Sequence, residues 1–387
     1  MNKKYHVKII TRVPFPYGMA ATNRVIKYAQ CLNISGIDNE VYIINSTYNK
    51  PTKNVSQGIY KGIRFRYCRS CIRSSSLFKR KINDLRDFFS ACLEISRDRK
   101  TDVNYIYISS FLIEFVFVIL SKIRGIKTVR ELCEYPYYKK CFMATITLKI
   151  LFPLYDGFVA ISENLYKVAE QHKKESAKII RLPILIDKTE ITSIMPYKHS
   201  KPYIFHGGTL TESKDALISS MRAFALANNA LHNNIDFIIA GPPSTDLPKI
   251  KEIIKDNGLE SNVIFLGQIT HDKVLEYLAG ASLCILNKND TLQNQCGFST
   301  KLSDILISET AVITTYIGEA PNWLKDGESA YITEPNQPNL IADLIVKAFE
   351  NEENRKRIAH NGKEIAINNF AVTAQGPRLA NFIKTQL

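Results

Sequence analysis

Short apolar runs alternate with helix-spaced apolar residues along the first half of this chain. Residues 7–10 form an apolar run, a Pro- and Gly-rich stretch follows at residues 11–18, and apolar residues at helical spacing then lead to Gly36, a helix-ending residue. A strand, such a loop and a helix indicate the start of a parallel α/β domain. The same reasoning predicts strands at residues 40–44, 105–108, 127–130 and 157–161 and helices at residues 112–122 and 140–151.

The alternation lapses over residues 191–200, which we interpret as a linker, and it restarts at residues 203–205. We predict strands at residues 235–240, 263–266, 283–286 and 311–314 and helices at residues 216–227, 248–256, 272–278, 340–368 and 377–387. A chain of 387 residues suits two domains of ordinary size. We therefore predict two doubly wound α/β domains, residues 1–190 and 191–371, with the helical segment 372–387 packed on the first. Ligands of such sheets bind beyond the carboxyl ends of the strands.

The net charge of +14 lies entirely in the first half of the chain. Residues 1–195 hold 33 basic and 16 acidic side chains, a net charge of +17, whereas the remainder has a net charge of −3. This asymmetry fits a polyanionic partner (an anionic membrane surface, a phosphorylated substrate or a nucleic acid), and it also fits a solvated basic face. One basic stretch with helix-spaced apolar residues fits either an interfacial helix or a helix packed on its own domain. Its members are Arg73, Leu77, Phe78, Lys79, Arg80, Lys81, Ile82, Leu85, Arg86 and Phe89.

Several classes of protein lose support from the sequence. The longest apolar stretches, residues 111–120 and 142–154, fall short of the roughly 20 residues of a membrane span, and the N-terminus does not resemble a signal peptide, so we expect a cytoplasmic protein. Of eight cysteines, only Cys68 and Cys71 have metal-ligand spacing, and without a second pair we expect reduced thiols rather than a zinc site. The lack of a P-loop, a dinucleotide fingerprint or a nucleic-acid-binding signature disfavours ATPase, dehydrogenase and nucleic-acid-binding functions.

Three glycine-bearing loops precede predicted helices, where backbone N–H groups and lysines can hold a diphosphate without a metal ion. The first contains Gly18 within residues 14–24. The second contains a Gly pair at positions 207 and 208 and ends at Lys214. In the third, residues 297–304, Lys301 and Asp304 share one helix face and could bind a phosphate and a ribose, respectively.

Each of these features also has a structural interpretation. A glycine after a strand often serves a plain turn, and Lys214 and Asp304 also fit solvated positions at the start of a helix. His206, beside the Gly pair, is either a packed residue at a strand end or a catalytic base.

The order of these loops resembles the family 4 glycosyltransferases of the GT-B fold over nearly the whole chain. The most specific part is the third loop, in which Gly297-Phe-Ser-Thr-Lys-Leu-Ser-Asp304 is similar to a G-F-P-T-K-L-x-E variant found among enzymes of surface-polysaccharide synthesis. Ala311-Val-Ile-Thr-Thr and Asp326-Gly-Glu-Ser-Ala-Tyr follow as in the family, and Asp187 resembles its inter-domain aspartate. The resemblance implies two Rossmann-like doubly wound domains that face a central cleft. It also implies retaining transfer of a sugar from a UDP- or GDP-linked donor to a glycan or lipid-diphosphate-linked acceptor.

The resemblance implies roles for individual residues. Lys214 would bind the donor diphosphate and, with Lys301, take part in catalysis. The donor site would comprise Gly18, Gly207, Gly208, Thr209, Gly241, Gly297, Phe298, Ser299, Thr300 and Asp304, and the acceptor side Arg24 and Glu134. Because no two aspartates stand two apart, the metal-binding pair common in single-domain glycosyltransferases is missing, and we expect neither a metal nor another cofactor.

The chain departs from the family at three points. Cys296 stands where the first glutamate of the Glu-x7-Glu motif is expected, Asp304 replaces the second, and Thr209 replaces a common arginine.

The basic first domain would face the inner side of the cell membrane, where such families keep their acceptor. Two alternatives stay open, namely a nucleotide-sugar epimerase of the same fold and a basic nucleic-acid-binding protein.

Overall fold

The computed structural model describes residues 5–48, 55–137, 139–190 and 194–387. The chain divides into two compact units, one of Met1–Leu185 with Val372–Leu387 and one of Ile186–Ala371. Of the predicted linker, residues 191–193 lie outside the described residues. Within the described ranges, no helix is long and apolar enough to span a membrane.

The described part of the first unit is built on one sheet of eight strands. These are β1 (His6–Thr11), β2 (Asp38–Ile43), β3 (Gln57–Tyr60), β4 (Ile63–Tyr67), β5 (Val103–Tyr107), β6 (Lys127–Leu132), β7 (Gly157–Ala160) and β8 (Lys178–Arg181). Their order is β3-β4-β2-β1-β5-β6-β7-β8, and all neighbours are parallel except the hairpin β3–β4. The inner strands are almost continuously buried because helices cover both faces of a parallel sheet.

The helices of this part of the chain are α1 (Ala20–Ile34), α2 (Leu77–Arg97), α3 (Phe111–Ile123), α4 (Cys141–Ile146) and α5 (Glu163–His172). Gly36 follows α1 with a φ of +71°, the left-handed conformation that ends many helices, as its position predicts. The predicted helix at residues 140–151 is α4 followed by a π-helical turn, Thr147–Leu151. The apolar patterns missed β3, β4, β8 and α5.

A buried ion pair joins α3 to the sheet. Arg130 on β6 donates from Nε to Glu114 Oε2 at 2.6 Å and from Nη2 to Glu114 Oε1 at 3.1 Å. The Tyr155 hydroxyl donates to Glu114 Oε2 at 3.1 Å, and the Arg130 guanidinium lies 4.9 Å from the ring centre of Phe152. All four side chains are buried, so the carboxylate and the guanidinium depend on each other for compensation of their charges.

The second unit is built on a six-stranded sheet, as far as the described residues show. Its strands are β9 (Tyr203–Gly207), β10 (Asp236–Ala240), β11 (Val263–Gly267), β12 (Leu283–Leu286), β13 (Ala311–Thr315) and β14 (Tyr331–Thr333). Their order is β11-β10-β9-β12-β13-β14, with every neighbouring pair parallel. The connection from β11 to β12 crosses from one side of β9 to the other. The topological switch point therefore lies between β9 and β12.

The helices of the second unit differ from the predicted ones at two breaks and at a short helix, Leu292–Cys296, that was not predicted. They are α6 (Glu212–Asp215), α7 (Leu217–Ala230), α8 (Leu247–Asp256), α9 (His271–Gly280), α10 (Leu292–Cys296), α11 (Thr300–Ile307), α12 (Pro338–Glu350) and α13 (Glu352–Asn369). Ala216, predicted to begin a helix, has a left-handed φ of +46° and separates α6 from α7. Asn351 divides the predicted helix at residues 340–368, because its side chain accepts a hydrogen bond from Asn354 N at 2.9 Å and begins α13.

The last helix, α14 (Val372–Asn381), packs on α1 of the first unit and continues into a π-helical turn, Phe382–Gln386. It begins earlier than the predicted helix at residues 377–387. A Cβ atom on Gly376 would lie 2.9 Å from Ile34 Cδ1 and 3.0 Å from the carbonyl oxygen of Cys31, so glycine permits this close approach. Leu379, Phe382 and Ile383 belong to the core of the first unit.

We predict that Glu114→Ala destabilises the first unit by about 3–5 kcal/mol, because Arg130 would keep a buried charge without its partner. Urea denaturation followed by circular dichroism measures the loss. The matched control is Glu163→Ala, which removes the partly exposed ion pair with Arg181 at 2.8 Å and is expected to cost less than about 1 kcal/mol. Equal losses in the two variants would contradict the structural role of the buried pair.

Candidate active site

The loops after β9, β10 and β12 meet at the carboxyl edge of the second sheet. Gly207 ends β9 and Leu286 ends β12, which places the loops that follow them at the switch point. Ligands of doubly wound sheets bind at this position. Polar and charged residues concentrated here are therefore the candidate functional residues.

Asp215, a buried carboxylate at the end of α6, is the centre of a charged cluster. Lys301 on α11 donates from Nζ to its Oδ2, Lys288 from the loop after β12 donates to Oδ1 at 2.9 Å, and the Thr209 hydroxyl donates to Oδ2 at 3.0 Å. The Asp215 side chain is only 3% exposed, whereas those of Lys288 and Lys301 are 17% and 28% exposed. The cluster is thus anchored inside the unit and presents its cations outward.

The electrostatics of the cluster keep this carboxylate ionised. Burial opposes the charge of Asp215, but Lys301 and Lys288 outweigh burial and hold the pKa of Asp215 well below its usual range. Burial lowers the pKa of Lys301, and Asp215 partly offsets this effect.

Two glycines let the backbone approach the cluster closely. A Cβ atom on Gly208 would lie 1.9 Å from Lys301 Nζ, and a Cβ atom on Gly241 would lie 1.8 Å from the carbonyl oxygen of Gly208. Any other residue at either position would displace the backbone or the lysine. Gly207, at the end of β9, would place a Cβ atom 3.1 Å from the Phe205 ring.

His206 is buried beside the cluster as a neutral imidazole. Its Nε2 atom lies 3.9 Å from Asp215 Oδ2 and has no hydrogen-bond partner among the described residues. Burial and then the charge of Lys301 lower the pKa of His206 to about 4. Such an imidazole is a weak base at neutral pH, which favours the packed interpretation over the catalytic one.

Asp304 lies one turn after Lys301, and both residues line one small cavity. His206, Gly207, Lys301 and Asp304 all line this cavity together with apolar side chains of β12 and α9. Asp304 Oδ2 is 3.1 Å from Nε2 of His271, the first residue of α9, and a third of its side chain is exposed. Lys301 and Asp304 therefore border one cavity, and Asp304 stays partly exposed there although it pairs with His271.

The loop after β12 fixes the position of Lys214. Lys288 Nζ donates to the carbonyl oxygen of Lys214 at 2.7 Å, and Asn289 Nδ2 donates to that of Glu212 at 2.9 Å. The Lys214 side chain is exposed, yet its charge lies close enough to lower the pKa of Lys301, after burial and Lys288. Two lysines thus pair with Asp215, and the charge of a third, Lys214, lies near Lys301.

The remaining donor-loop residues take mainly structural positions. Phe298 is buried, with its ring centre 5.6 Å from that of Phe370. Gly297 precedes it, and Ser299 lies at the N-cap of α11, just before Thr300, where its side chain makes no capping hydrogen bond within the described residues. Cys296 is a buried thiol whose pKa is raised to about 11 by burial, so no carboxylate replaces the missing glutamate at this position.

The three predicted site residues of the first unit lie in different environments: a turn, a buried ion pair and the exposed surface. A Cβ atom on Gly18 would be 2.0 Å from Oγ1 of Thr22, whose hydroxyl donates to the carbonyl of Pro14 at 2.6 Å, so the turn itself requires the glycine. Arg24 is buried, and its Nε donates to Glu131 Oε1 at 2.6 Å. Glu134, by contrast, is exposed just after β6.

The cysteines and potential metal ligands of the described ranges do not converge. None of the eight cysteines, all within the described ranges, forms a disulfide, and Cys68 donates from Sγ to the carbonyl of Asp87 at 3.3 Å. Among the residues that the structure describes, no group of three His, Cys, Asp or Glu side chains is arranged to hold a metal ion.

Sequence reasoning missed Asp215 and Lys288, the two residues that organise the cluster. Asp215 directly follows Lys214, and Lys288 lies two residues beyond the end of β12. A lysine just past a predicted strand of a doubly wound sheet is the signal that points to Lys288. Asp215 has no comparable local signal, since its partners are far away in the sequence.

The two parallel-sheet units define the GT-B fold, which confirms the predicted fold class. Sucrose-phosphate synthase from Thermosynechococcus elongatus has a similar structure, with a TM-score of 0.75 and 13% identity over 97% of this chain and 98% of that one. Anabaena HepE, solved in complex with UDP and glucose, matches with a TM-score of 0.73 and 15% identity over 98% of this chain and 99% of that one.

The second unit also carries a family signature in its sequence. Residues 187–365, just under half of the chain, match the family model of the glycosyl transferases group 1. An uncharacterized glycosyltransferase of Methanocaldococcus jannaschii is 27% identical over 118 residues, which are 30% of this chain and 32% of that protein. The match thus spans about a third of the archaeal protein's length.

We predict that His206 makes the folded protein less stable as the pH falls. Because the pKa of His206 is about 4 in the folded protein and ~6.5 in an unfolded chain, the unfolded chain takes up a proton first between these values. Urea denaturation at pH 7 and pH 5 should show a loss on the order of 1–2 kcal/mol that His206→Asn lacks.

The control variant for this titration is His232→Asn. His232 is exposed and has a φ of +57°, a conformation that asparagine tolerates, so this variant should keep the wild-type pH dependence. If the free energy of unfolding of His206→Asn falls as steeply between pH 7 and pH 5 as that of the wild type, the buried imidazole is not the titrating group.

Proposed function

We propose that the protein is a nucleotide-sugar glycosyltransferase whose donor binds at the carboxyl edge of the second sheet. The observation that carries this proposal is the pairing of Lys288 and Lys301 with Asp215, with the charge of Lys214 near Lys301, at the switch point of the unit that matches glycosyl transferases group 1. The capture of UDP and glucose by Anabaena HepE, a protein of the same fold, supports a nucleoside diphosphate sugar as the donor.

The charges of the cluster suit a departing diphosphate. Three lysines and one aspartate leave a net charge of about +2, which balances the roughly two negative charges of a diphosphate diester. Negative charge grows on the diphosphate as the glycosidic bond breaks, and lysines already in place stabilise that charge without rearrangement. Thr209 stands at the position where the family commonly has an arginine. Lys288, from a neighbouring loop, would supply a cation in its place.

The other groups of the site fit roles around this diphosphate. Asp304, which is partly exposed on the cavity, would accept hydroxyl groups of the ribose or the sugar. Gly208 and Gly241 would let the Lys301 ammonium group and the loop backbone pack closely together beside the bound diphosphate. This set of lysines and glycines performs the charge stabilisation for which other enzymes use a metal ion, so we propose metal-independent transfer of a hexosyl group.

The acceptor and the outcome of the reaction follow from the resemblance to family 4 glycosyltransferases. We propose a UDP- or GDP-linked donor, a glycan or lipid-diphosphate-linked acceptor, retention of the anomeric configuration and a role in surface-polysaccharide synthesis. The acceptor would bind the first unit, where Glu134 is exposed. We place the enzyme in the cytoplasm at the inner face of the cell membrane, in keeping with the net charge of +17 on residues 1–195.

We predict that Lys214→Ala, Lys288→Met and Asp304→Ala each weaken binding of the donor nucleotide by about 1.5–3 kcal/mol, because each removes a charge-assisted hydrogen bond. Calorimetry with UDP and GDP, after a thermal-shift screen has identified the preferred base, measures the change. Lys255→Ala and Asp256→Ala, at exposed positions of α8, are the matched controls. Wild-type affinity in all three site variants, with folding intact, would refute the site.

We also predict full donor turnover in excess EDTA, since lysines rather than a metal ion hold the diphosphate. Chromatography of the incubated donor should show release of free nucleoside diphosphate at the same rate with and without the chelator. Loss of turnover that Mg²⁺ restores would refute metal independence. Conversion of the donor into an isomeric nucleotide-sugar, without release, would instead identify an epimerase.

A further inference from the structure

Helix α2 carries a row of apolar side chains on its solvent side. The row consists of Phe78, Ile82, Leu85, Phe89 and Leu93, which fall within an arc of roughly 80° at 3.6 residues per turn. Phe78 is 73% and Phe89 is 62% exposed, and the other members are exposed or partly exposed. A soluble surface rarely leaves large apolar side chains adjacent to one another without a partner.

The helix does not need this row in order to fold. Its opposite side packs on the first unit through the buried residues Ala91 and Ile95, and Phe88 stacks on Phe117 of α3 with ring centres 6.0 Å apart. The Ser76 hydroxyl accepts a hydrogen bond from Lys79 N at 3.5 Å and caps the first turn. The exposed row is therefore presented on a preformed and anchored helix.

Charged residues of α2 are sorted between its two sides. Lys79 and Arg86 flank the apolar row on one edge and Lys81 on the other, and all three are exposed. The acidic residues lie on the opposite side, and each has a partner within the first unit. Asp84 accepts a hydrogen bond from Asn45 at 2.9 Å. Asp87 pairs with Arg69 at 3.8 Å, and Glu94 pairs with Lys8 at 3.1 Å. The solvent side is thus apolar at its centre and positive at both edges.

We infer that this side of α2 docks on an anionic phospholipid bilayer, with the apolar row inserted between lipids and Lys79, Lys81 and Arg86 at the headgroups. Amphipathic helices with basic edges bind interfaces in this way. A nucleic acid would contact the cations but leave the apolar row in water. A second copy bound face to face would bring the basic edges together, which electrostatic repulsion disfavours.

The inference extends the proposed function by naming the surface that would bring the enzyme to a lipid-linked acceptor. It rests on α2 alone, so it stands or fails separately from the donor site. Arg80, which the sequence placed with the basic residues of this helix, is turned inward and donates to the carbonyl of Ser74. It therefore takes no part in the docking surface.

Co-sedimentation of the full chain with vesicles tests the inference. The vesicles are phosphatidylcholine alone or phosphatidylcholine with phosphatidylglycerol, at low and at physiological salt. We expect binding to the anionic vesicles only, weakened by salt, since screening shortens the reach of surface charges. Replacement of Lys79, Lys81 and Arg86 by glutamine should weaken binding roughly 100-fold, at about fivefold per charge. At physiological salt, where the attraction between charges is screened, the double variant Phe78→Ser and Phe89→Ser should no longer bind the anionic vesicles.

Matched variants separate this surface from general charge and from the donor site. Replacement of Lys127, Lys167 and Lys178 by glutamine removes the same charge from other exposed positions of the first unit and should leave vesicle binding nearly unchanged. All variants should keep wild-type nucleotide affinity. Equal binding to neutral vesicles, no binding at all, or equal losses in the two triple variants would overturn the inference. A concentration-dependent dimer that is lost in the Phe78 and Phe89 variant would assign the surface to a second copy instead.

Discussion

The ion cluster around Asp215 determines the geometry of the carboxyl edge of the second sheet. One buried carboxylate holds the loop after β12 through Lys288 and helix α11 through Lys301. Lys288 in turn holds the backbone of α6. Because a buried charge without its partner is strongly destabilising, these three segments keep fixed distances from one another. The glycine at position 208 belongs to the same constraint, since a side chain there would occupy the space of the lysine ammonium group.

This arrangement has a chemical advantage over lysines held by packing alone. Ammonium groups that wait for an anion in a partly buried site tend to lose their protons, because burial disfavours the charged form. Asp215 counteracts this tendency for Lys301. Asp215 therefore helps to keep the Lys301 ammonium group charged and oriented before a ligand arrives, and a phosphate group meets a surface that needs little reorganisation.

The apolar periodicity was enough to predict both parallel sheets, since most of their inner strands are buried runs of consecutive apolar residues. It missed β3, an edge strand in which exposed and partly exposed residues alternate. The helix breaks at Ala216 and Asn351 depend on local backbone conformation and capping, which apolar spacing does not record. In the site, Lys301 and Asp304 were within reach because they are neighbours on one helix. Asp215 pairs with lysines that are 73 and 86 residues away in the sequence, and no local sequence pattern indicates such a tertiary contact.

The return of α14 to the first unit has a consequence for biosynthesis. Leu379, Phe382 and Ile383 complete the core that begins with β1, so the first unit lacks part of its interior until the ribosome has released residue 383. The second unit is continuous in sequence and has all its residues earlier. During translation, the domain that starts first would thus be finished last, with the α1 surface uncovered by α14 while the second unit folds.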